Sequence, residues 1–458
     1  MRLLMMIALC LMPFLGRGQG STSLNLQQCI DIALQNNQAI NKSEAGVRES
    51  QYKVKETIAI GLPQVNGQVT ANNNFALRTS FITGDFLGGS DPSAPPSASP
   101  SDQITPISFG TSYDANATLS VSQLIFDGSF FVGLEAAKTY VDLAQKDLIR
   151  AEIDVVESVK KAYYLVLINK ERLRLVEQNL GRLDTLLNET QLMFDEGFAE
   201  KIDVDRIRVS YNNIKSSLKS SQRMIELSQR LLSFHMGVNV NAPVMVEEHI
   251  SDIAFDPSIL DADLAFKSSD RVEMQLLGVQ EDLAKYELKN IHVQYLPNLY
   301  AVGNMGYLTG ANTIGGLTKF GTQWFGFGTI GVQLSIPIFD GLMKRQKAQQ
   351  VRMRLEQLEY DQQQTAMAID NEVFQSKANL LSAIDQLTFE KENMTLAKDV
   401  FETTRLKYQE GIGSNIELVD ANNSYITAQV NYFNAYYDAL LNKVNLEKSV
   451  GQLYRRGL

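Results

Sequence analysis

Two hydrophobic periods alternate along the chain. From Val141 onward, Val141, Ala144, Leu148, Ala151, Val155, Val159, Ala162, Val166, Leu173, Val176, Leu180, Leu183 and Leu187 recur at steps of three and four, with polar Asn169 in the row. A period of about 3.5 marks a helix packed in a left-handed coiled coil. Ile149, Ile153, Val156, Tyr163 and Leu167 form a second stripe on the same span. Contacts on two sides suit a stave of a helical barrel better than a two-stranded coil. Val351, Leu355, Leu358, Ile369, Val373, Leu380, Ile384 and Leu387 repeat the pattern less regularly. The eleven prolines avoid both spans, with none between Pro106 and Pro243 and none after Pro337. That placement follows from the ~3 kcal/mol an interior proline costs a helix.

Elsewhere the period is two, which marks strands. Asn66, Gln68, Thr70, Asn72 and Asn74 alternate with apolar or small residues, as do Asp114, Asn116, Thr118, Ser120 and Ser122. Ile330, Val332, Leu334, Ile336 and Ile338 alternate against Thr329, Gly331, Gln333 and Ser335. Strands of about ten residues cross a bilayer when tilted. Phe75, Phe81, Tyr113, Tyr300, Tyr307, Trp324, Phe325 and Phe327 suit an interfacial girdle.

The chain is internally duplicated. LPQVNGQV from Leu62 answers LPNLYAVG from Leu296, and IFDG occurs at Ile125 and again at Ile338. FDEG from Phe194 answers YQEG from Tyr408, and Gly237 answers Gly451, at an offset of 213 to 214 residues. The first half carries extra residues in GDFLGGSDPSAPPSASPSDQITP (84–106), which reads as a long exposed loop. The expected organisation is a signal peptide at 1–20, a first repeat at 21–237, a linker at 238–260, a second repeat at 261–451 and a tail at 452–458. The first repeat has a hairpin at about 63–126 and helices at 24–60, 129–196 and 202–236. The second has a hairpin at about 297–338 and helices at 261–293, 341–410 and 415–449. The two longest helices would each span on the order of 100 Å at ~1.5 Å per residue.

Composition narrows the function. Arg2 followed by an apolar run from Leu3 to Leu15, then Gly16, Gly18 and Gly20, has the form of a secretory signal peptide. Removing it would take Cys10 and leave Cys29 alone, so no internal disulfide is expected. A formal charge of −10 without a Lys/Arg cluster argues against nucleic acid. His235, His249 and His292 are the only histidines and have no ligand spacing, so neither a metal nor a cofactor is expected. No nucleophile elbow or phosphate loop is present either, and the expectation is not an enzyme. Four strands per chain cannot close a barrel, and open edges in lipid leave backbone groups unpaired at several kcal/mol each. Identical chains must complete the cylinder, and three copies supply twelve strands.

The order of signal peptide, short helix, LP-headed strand, strand ending in IFDG, long helix, [FY]xxG turn and returning helix, all repeated, resembles the TolC family of outer-membrane efflux proteins. The resemblance covers essentially the whole mature chain. It implies a mostly helical fold with a membrane β-part: a homotrimer whose twelve-stranded β-barrel in outer-membrane lipid continues into a periplasmic helical barrel. It further implies the exit duct of a tripartite pump, passively exporting small molecules such as drugs, with a periplasmic adaptor and an inner-membrane transporter as partners. A type I protein secretion duct is the alternative within the family, and a non-pore periplasmic coiled-coil scaffold the alternative outside it. Asp203 matches the family's acidic position after the first turn, Glu417 and Asp420 the pair after the second, and Tyr408 the aromatic that links across at the periplasmic gate. Gly197 and Gly411 fall at the turns where an adaptor would dock. Gly413 stands where the best-fitting family member carries Arg, which leaves an arginine latch without its residue.

Overall fold

The computed structural model describes residues 24–83, 104–242, 244–248, 250, 266–319 and 324–454. The expected signal peptide, most of the 84–106 loop, residues 251–265 and the end of the tail lie outside them. The chain divides into two compact units, Ser50–Tyr140 with Glu281–Glu356, and Met1–Glu49 with Val141–Gln280 and Gln357–Leu458.

The first of these units carries a four-stranded antiparallel sheet built from β1 (Gln64–Asn73), β4 (Tyr113–Phe126), β5 (Asn298–Ala311) and β6 (Trp324–Ser335), in the order β1-β4-β5-β6. β4 and β5 belong to different repeats and pair centrally, which leaves β1 and β6 as the edges. The register places Val65 opposite Val121 and Gly67 opposite Leu119. It continues with Leu119 opposite Met305, Ala117 opposite Tyr307 and Gly303 opposite Ile330. Because side chains alternate across a strand, these residues share one apolar face, and Asn66, Gln68, Ser120, Thr118 and Asn304 share the other. Val69, Ile330 and Val332 on the apolar face are 77%, 94% and 66% exposed.

The expected aromatic girdle divides between the faces. Tyr113, Tyr307 and Trp324 lie on the apolar side, whereas Tyr300, Phe325 and Phe327 fall in register with polar positions. β6 stops at Ser335, so Ile336 and Ile338 lie beyond the strand. Pro337 lacks the donor a ladder needs. The 84–106 stretch is not wholly loop either. Ile104–Ser108 (β3) pairs with Thr79–Thr83 (β2) as a separate two-stranded sheet, with Phe81 opposite Pro106.

The helices are α1 (Leu26–Asn36), α2 (Gln38–Ile60), α3 (Gly128–Asp195), α4 (Lys201–His235), α5 (Val272–Val293), α6 (Met343–Gln409) and α7 (Asn415–Ser449). Three differ from the sequence expectation. The 24–60 helix is broken at Asn37, whose Oδ1 accepts from the Ala39 N–H at 2.8 Å while its Nδ2 donates to the His235 carbonyl at 2.7 Å. Side-chain capture of the backbone offers the chain an alternative to helix at that point. The 261–293 helix begins only at Val272, because Arg271 stays extended and its buried guanidinium donates to the Ser449 carbonyl at 2.8 Å. The 341–410 helix begins at Met343, since Gly341 and Leu342 both adopt positive φ (67° and 66°). Asp127 caps α3 by accepting from the Ser129 N–H at 2.7 Å. Asp340 accepts from the Lys344 N–H at 3.1 Å across that left-handed corner.

The helical unit has its main core where α1, α3, α4 and α7 meet. Cys29, Ile30, Ala33, Val155, Val159, Tyr163, Leu167, Leu232, Met236, Leu440 and Val444 pack there. Burial, with Glu248 beside it, pushes the Cys29 thiol up to about 12, so it stays a protonated packing residue. Along α3 both sequence stripes are buried or half-buried, and every residue from Val166 to Asn169 is buried.

Candidate functional site

Both long helices of the helical unit end in the same way. The Phe198 N–H donates to the Met193 carbonyl at 2.7 Å around Gly197 (φ 83°), and the Ile412 N–H to the Lys407 carbonyl at 3.0 Å around Gly411 (φ 74°). A left-handed glycine just past the last turn satisfies carbonyls the helix leaves open. Two apolar side chains, 214 residues apart, stand out at these tips: Phe198 is 80% exposed and Ile412 78%.

The acidic candidates occupy different environments. Asp203 accepts from the Glu200 N–H at 3.2 Å and lies 3.6 Å from Arg206. Its carboxylate is therefore occupied in a capping box and an ion pair. Glu417 and Asp420 are exposed on the first turns of α7, and neither carboxylate forms an ion pair among the described residues. The Ser414 hydroxyl caps that helix by accepting from the Glu417 N–H at 3.3 Å. Tyr408 is buried (7% exposed), with its hydroxyl 3.4 Å from that of Thr190 on α3. It joins Leu183, Leu186, Ile207, Phe401, Leu418 and Tyr425 in a second hydrophobic cluster. Gly413 is packed as well as small: a Cβ there would lie 3.0 Å from the Tyr408 nitrogen and 3.1 Å from Lys407. An arginine at this position would require the turn to shift.

Behind the turns lies a polar interior that the sequence reading missed. Asn415, Asn422 and Gln429, seven residues apart on α7, are 5%, 2% and 6% exposed. Asn179 on α3 donates to the side-chain Oε1 of Gln429 at 3.2 Å, and Arg182 donates to Asn179. The Arg182 guanidinium carbon sits 4.8 Å from the Tyr425 ring centroid and 5.3 Å from that of Phe401. Amides repeating every seven residues within an apolar helix were the available signal, and in coiled coils such positions fix register.

Further along α3 and α7, Lys160 pairs with Glu447 at 2.7 Å, and Lys448 reaches Asp154 at 2.9 Å and Glu157 at 2.6 Å. Burial alone would raise the Glu157 carboxyl, but hydrogen bonds from Lys161 and Lys448 outweigh it and hold the group below its ordinary range.

α6 also carries an outward stripe invisible in the sequence reading. Met353, Tyr360, Met367, Phe374 and Leu381 follow at intervals of seven and are 53%, 60%, 66%, 74% and 44% exposed. Phe389 and Leu396 extend it, each 62% exposed.

Among the described residues no cluster of His, Cys, Asp or Glu could hold a metal, and no helix is long and apolar enough to cross a membrane.

The chain is 20% identical to the outer membrane protein TolC of Vibrio cholerae over 340 residues, 74% of this chain and 77% of that protein. It is 23% identical to the toluene efflux pump outer membrane protein TtgC of Pseudomonas putida over 350 residues, 75% of this chain and 70% of that one. The crystal structure of the outer membrane protein VceC from Vibrio cholerae superposes with a TM-score of 0.67 at 16% identity, covering 93% of this chain and 96% of that one. The profile of the outer membrane efflux protein family matches residues 29–222 and 271–452. A match over most of both repeats settles the family: the chain belongs to the outer membrane efflux proteins.

Proposed function

We propose that three copies of this chain close into a duct through the outer membrane, the exit component of a tripartite pump that exports small molecules. The observation that carries the reading is the sheet: one exposed apolar face, one polar face, and unpaired edges at β1 and β6. In lipid such edges are tolerated only when another strand covers them, and β6 of one copy against β1 of the next is the pairing that repeats around a ring. The outward stripe on α6 supports the same closure at the level of the helices, because a solvated row of large apolar side chains marks a missing partner. The two-repeat organisation, 21–237 and 261–451 about a linker at 238–260, gives each copy two hairpins for the barrel. The small-molecule cargo is suggested by the toluene pump relative. A periplasmic adaptor and an inner-membrane transporter are the partners proposed with it.

Within this reading the turns form the periplasmic mouth. Glu417 and Asp420, exposed and without ion-pair partners among the described residues, would contribute six carboxylates around the axis, a ring that draws cations. Asp203 contributes less because its charge is already matched by Arg206. Tyr408 holds α6 to α3 through Thr190, so it steadies the mouth from behind. Gly197 and Gly411, with Phe198 and Ile412 beside them, offer an adaptor's helical hairpin an apolar foothold at both tips. Single-channel recording in planar bilayers tests the assignment. Wild type should prefer cations and be blocked by divalent ions, and Glu417→Ala with Asp420→Ala should lose both. Unchanged preference and block in that double variant would remove the ring, and no conductance steps from the wild type would remove the duct.

A further inference from the structure

We infer that the cavity between α3, α6 and α7 behind the turns is a binding site for a small organic carboxylate with an apolar body. Its volume is about 510 Å³, within the usual range for small-molecule sites, and Leu183, Leu186, Phe401 and Tyr425 supply apolar wall. The charged groups on the wall are two guanidiniums, Arg182 and Arg405, and one carboxylate, Glu189. Among the described residues Arg182 Nε is buried and has no hydrogen-bond partner, and neither has the Nδ2 of Asn422, a side chain 98% buried by its 2% exposure. Arg405, also on the wall, has no ion pair or hydrogen bond among the described residues.

Several acceptors near these donors are already engaged. Asn179 Oδ1 accepts from Arg182, Gln429 Oε1 accepts from Asn179, and Glu189 accepts from Gln409 at 3.4 Å. A guanidinium has five donors and no acceptor, so a ligand that brings acceptors matches the donors left open here. A buried donor left unmatched is unfavourable, which makes an occupant with acceptors the lower-energy state. A carboxylate matches the planar fork of an arginine through two parallel hydrogen bonds. Tyr425 and Phe401 hold the Arg182 guanidinium from their rings, so its orientation is set before a ligand arrives.

The site lies on one chain and stands apart from the duct reading, so its test needs no conductance. Benzoate, with benzyl alcohol as its uncharged counterpart, is titrated calorimetrically into the full-length protein in detergent. Saturable binding of one benzoate per chain is expected, with benzyl alcohol at least tenfold weaker. Arg405→Gln should weaken benzoate at least tenfold, and Arg405→Lys, which keeps the charge but loses the fork, severalfold. Equal binding of benzoate and benzyl alcohol by the wild type, no saturable benzoate binding at millimolar concentration, or unaltered binding by Arg405→Gln would each overturn the site. The comparison of the two probes on wild-type protein stands even if a variant misfolds.

Discussion

Gly237 and Gly451 occupy corresponding places in the two repeats and have nearly the same backbone, φ 70° and 69°. Each follows the last turn of a returning helix, α4 or α7, and an alanine at either must adopt a left-handed conformation that costs ~1–2 kcal/mol. Their surroundings differ. A Cβ on Gly237 would lie 2.5 Å from the Asn36 carbonyl oxygen, 2.7 Å from its carbon and 2.8 Å from the Asn37 Cα, all backbone atoms. Those atoms sit at the α1–α2 break, which Asn37 ties to the end of α4 through its bond to His235. On Gly451 the nearest atom would be the Arg271 Cδ at 3.8 Å, an ordinary contact. The conformational penalty therefore cancels between the two variants, and the difference is the overpacking at Gly237, about 1–3 kcal/mol. Native-state hydrogen exchange reads this locally. Amides at the α1–α2 break and the end of α4 should exchange about tenfold faster or more in Gly237→Ala than in the wild type, and amides around Gly451→Ala should change less. Equal effects at the two positions would mean that the contact between α4 and the α1–α2 break is not close enough to resist a methyl group, and the reasoning would fail.

Two further outcomes follow from features of the helices. Phe374→Ser removes a 74% exposed ring from the α6 stripe, where burial against a neighbour stabilises by ~1–2 kcal/mol per copy. Light scattering in detergent should therefore find fewer trimers at equal protein concentration, and an undiminished trimer would take the stripe out of the interface. For Glu157, a carboxyl held below its ordinary range in the folded chain contributes stability that is present above the unfolded-state pKa and lost as the pH falls through the folded-state value. The melting temperature of Glu157→Gln should accordingly lie below wild type at neutral pH and converge on it in acid; a gap constant with pH would sink the assignment.

The long elements were legible because their periods are sustained. The rows on α3 from Val141 and on α6 from Val351 give helix, length and buried side together, and the alternation on β4 gives both faces of a strand. What escaped depended on distant partners. Asn37 does not mark a break by itself, because only one of the two bonds that hold it there is local; the other, to the His235 carbonyl, spans 198 residues. Arg271 looks like an ordinary helical residue until its bond to Ser449 is seen. At the turns, Tyr408, Glu417 and Asp420 could be named from the [FY]xxG landmark, yet that landmark carries no information on whether a side chain is buried, capped or free. The amide row Asn415, Asn422 and Gln429 was present in the sequence at seven-residue intervals but was masked by apolar neighbours such as Leu418, Tyr425 and Ala428. The outward α6 stripe was hidden in the same way by the inward one.

That stripe has a geometric consequence for whatever lies beside it. Successive residues of a straight α-helix turn by about 100°, so a step of seven falls short of two full revolutions by ~20°. Four such steps, from Met353 to Leu381, carry the row roughly 80° around the cylinder. The single step of eight from Leu381 to Phe389 overshoots by about the same angle and returns the row to the azimuth of Met353. A straight α6 would thus show Met353 and Phe389 to one flank and sweep Met367 and Phe374 away from it, whereas a supercoiled α6 would hold the upper row on one flank and displace the lower. In either case the phase of the row shifts at one extra residue between Leu381 and Phe389.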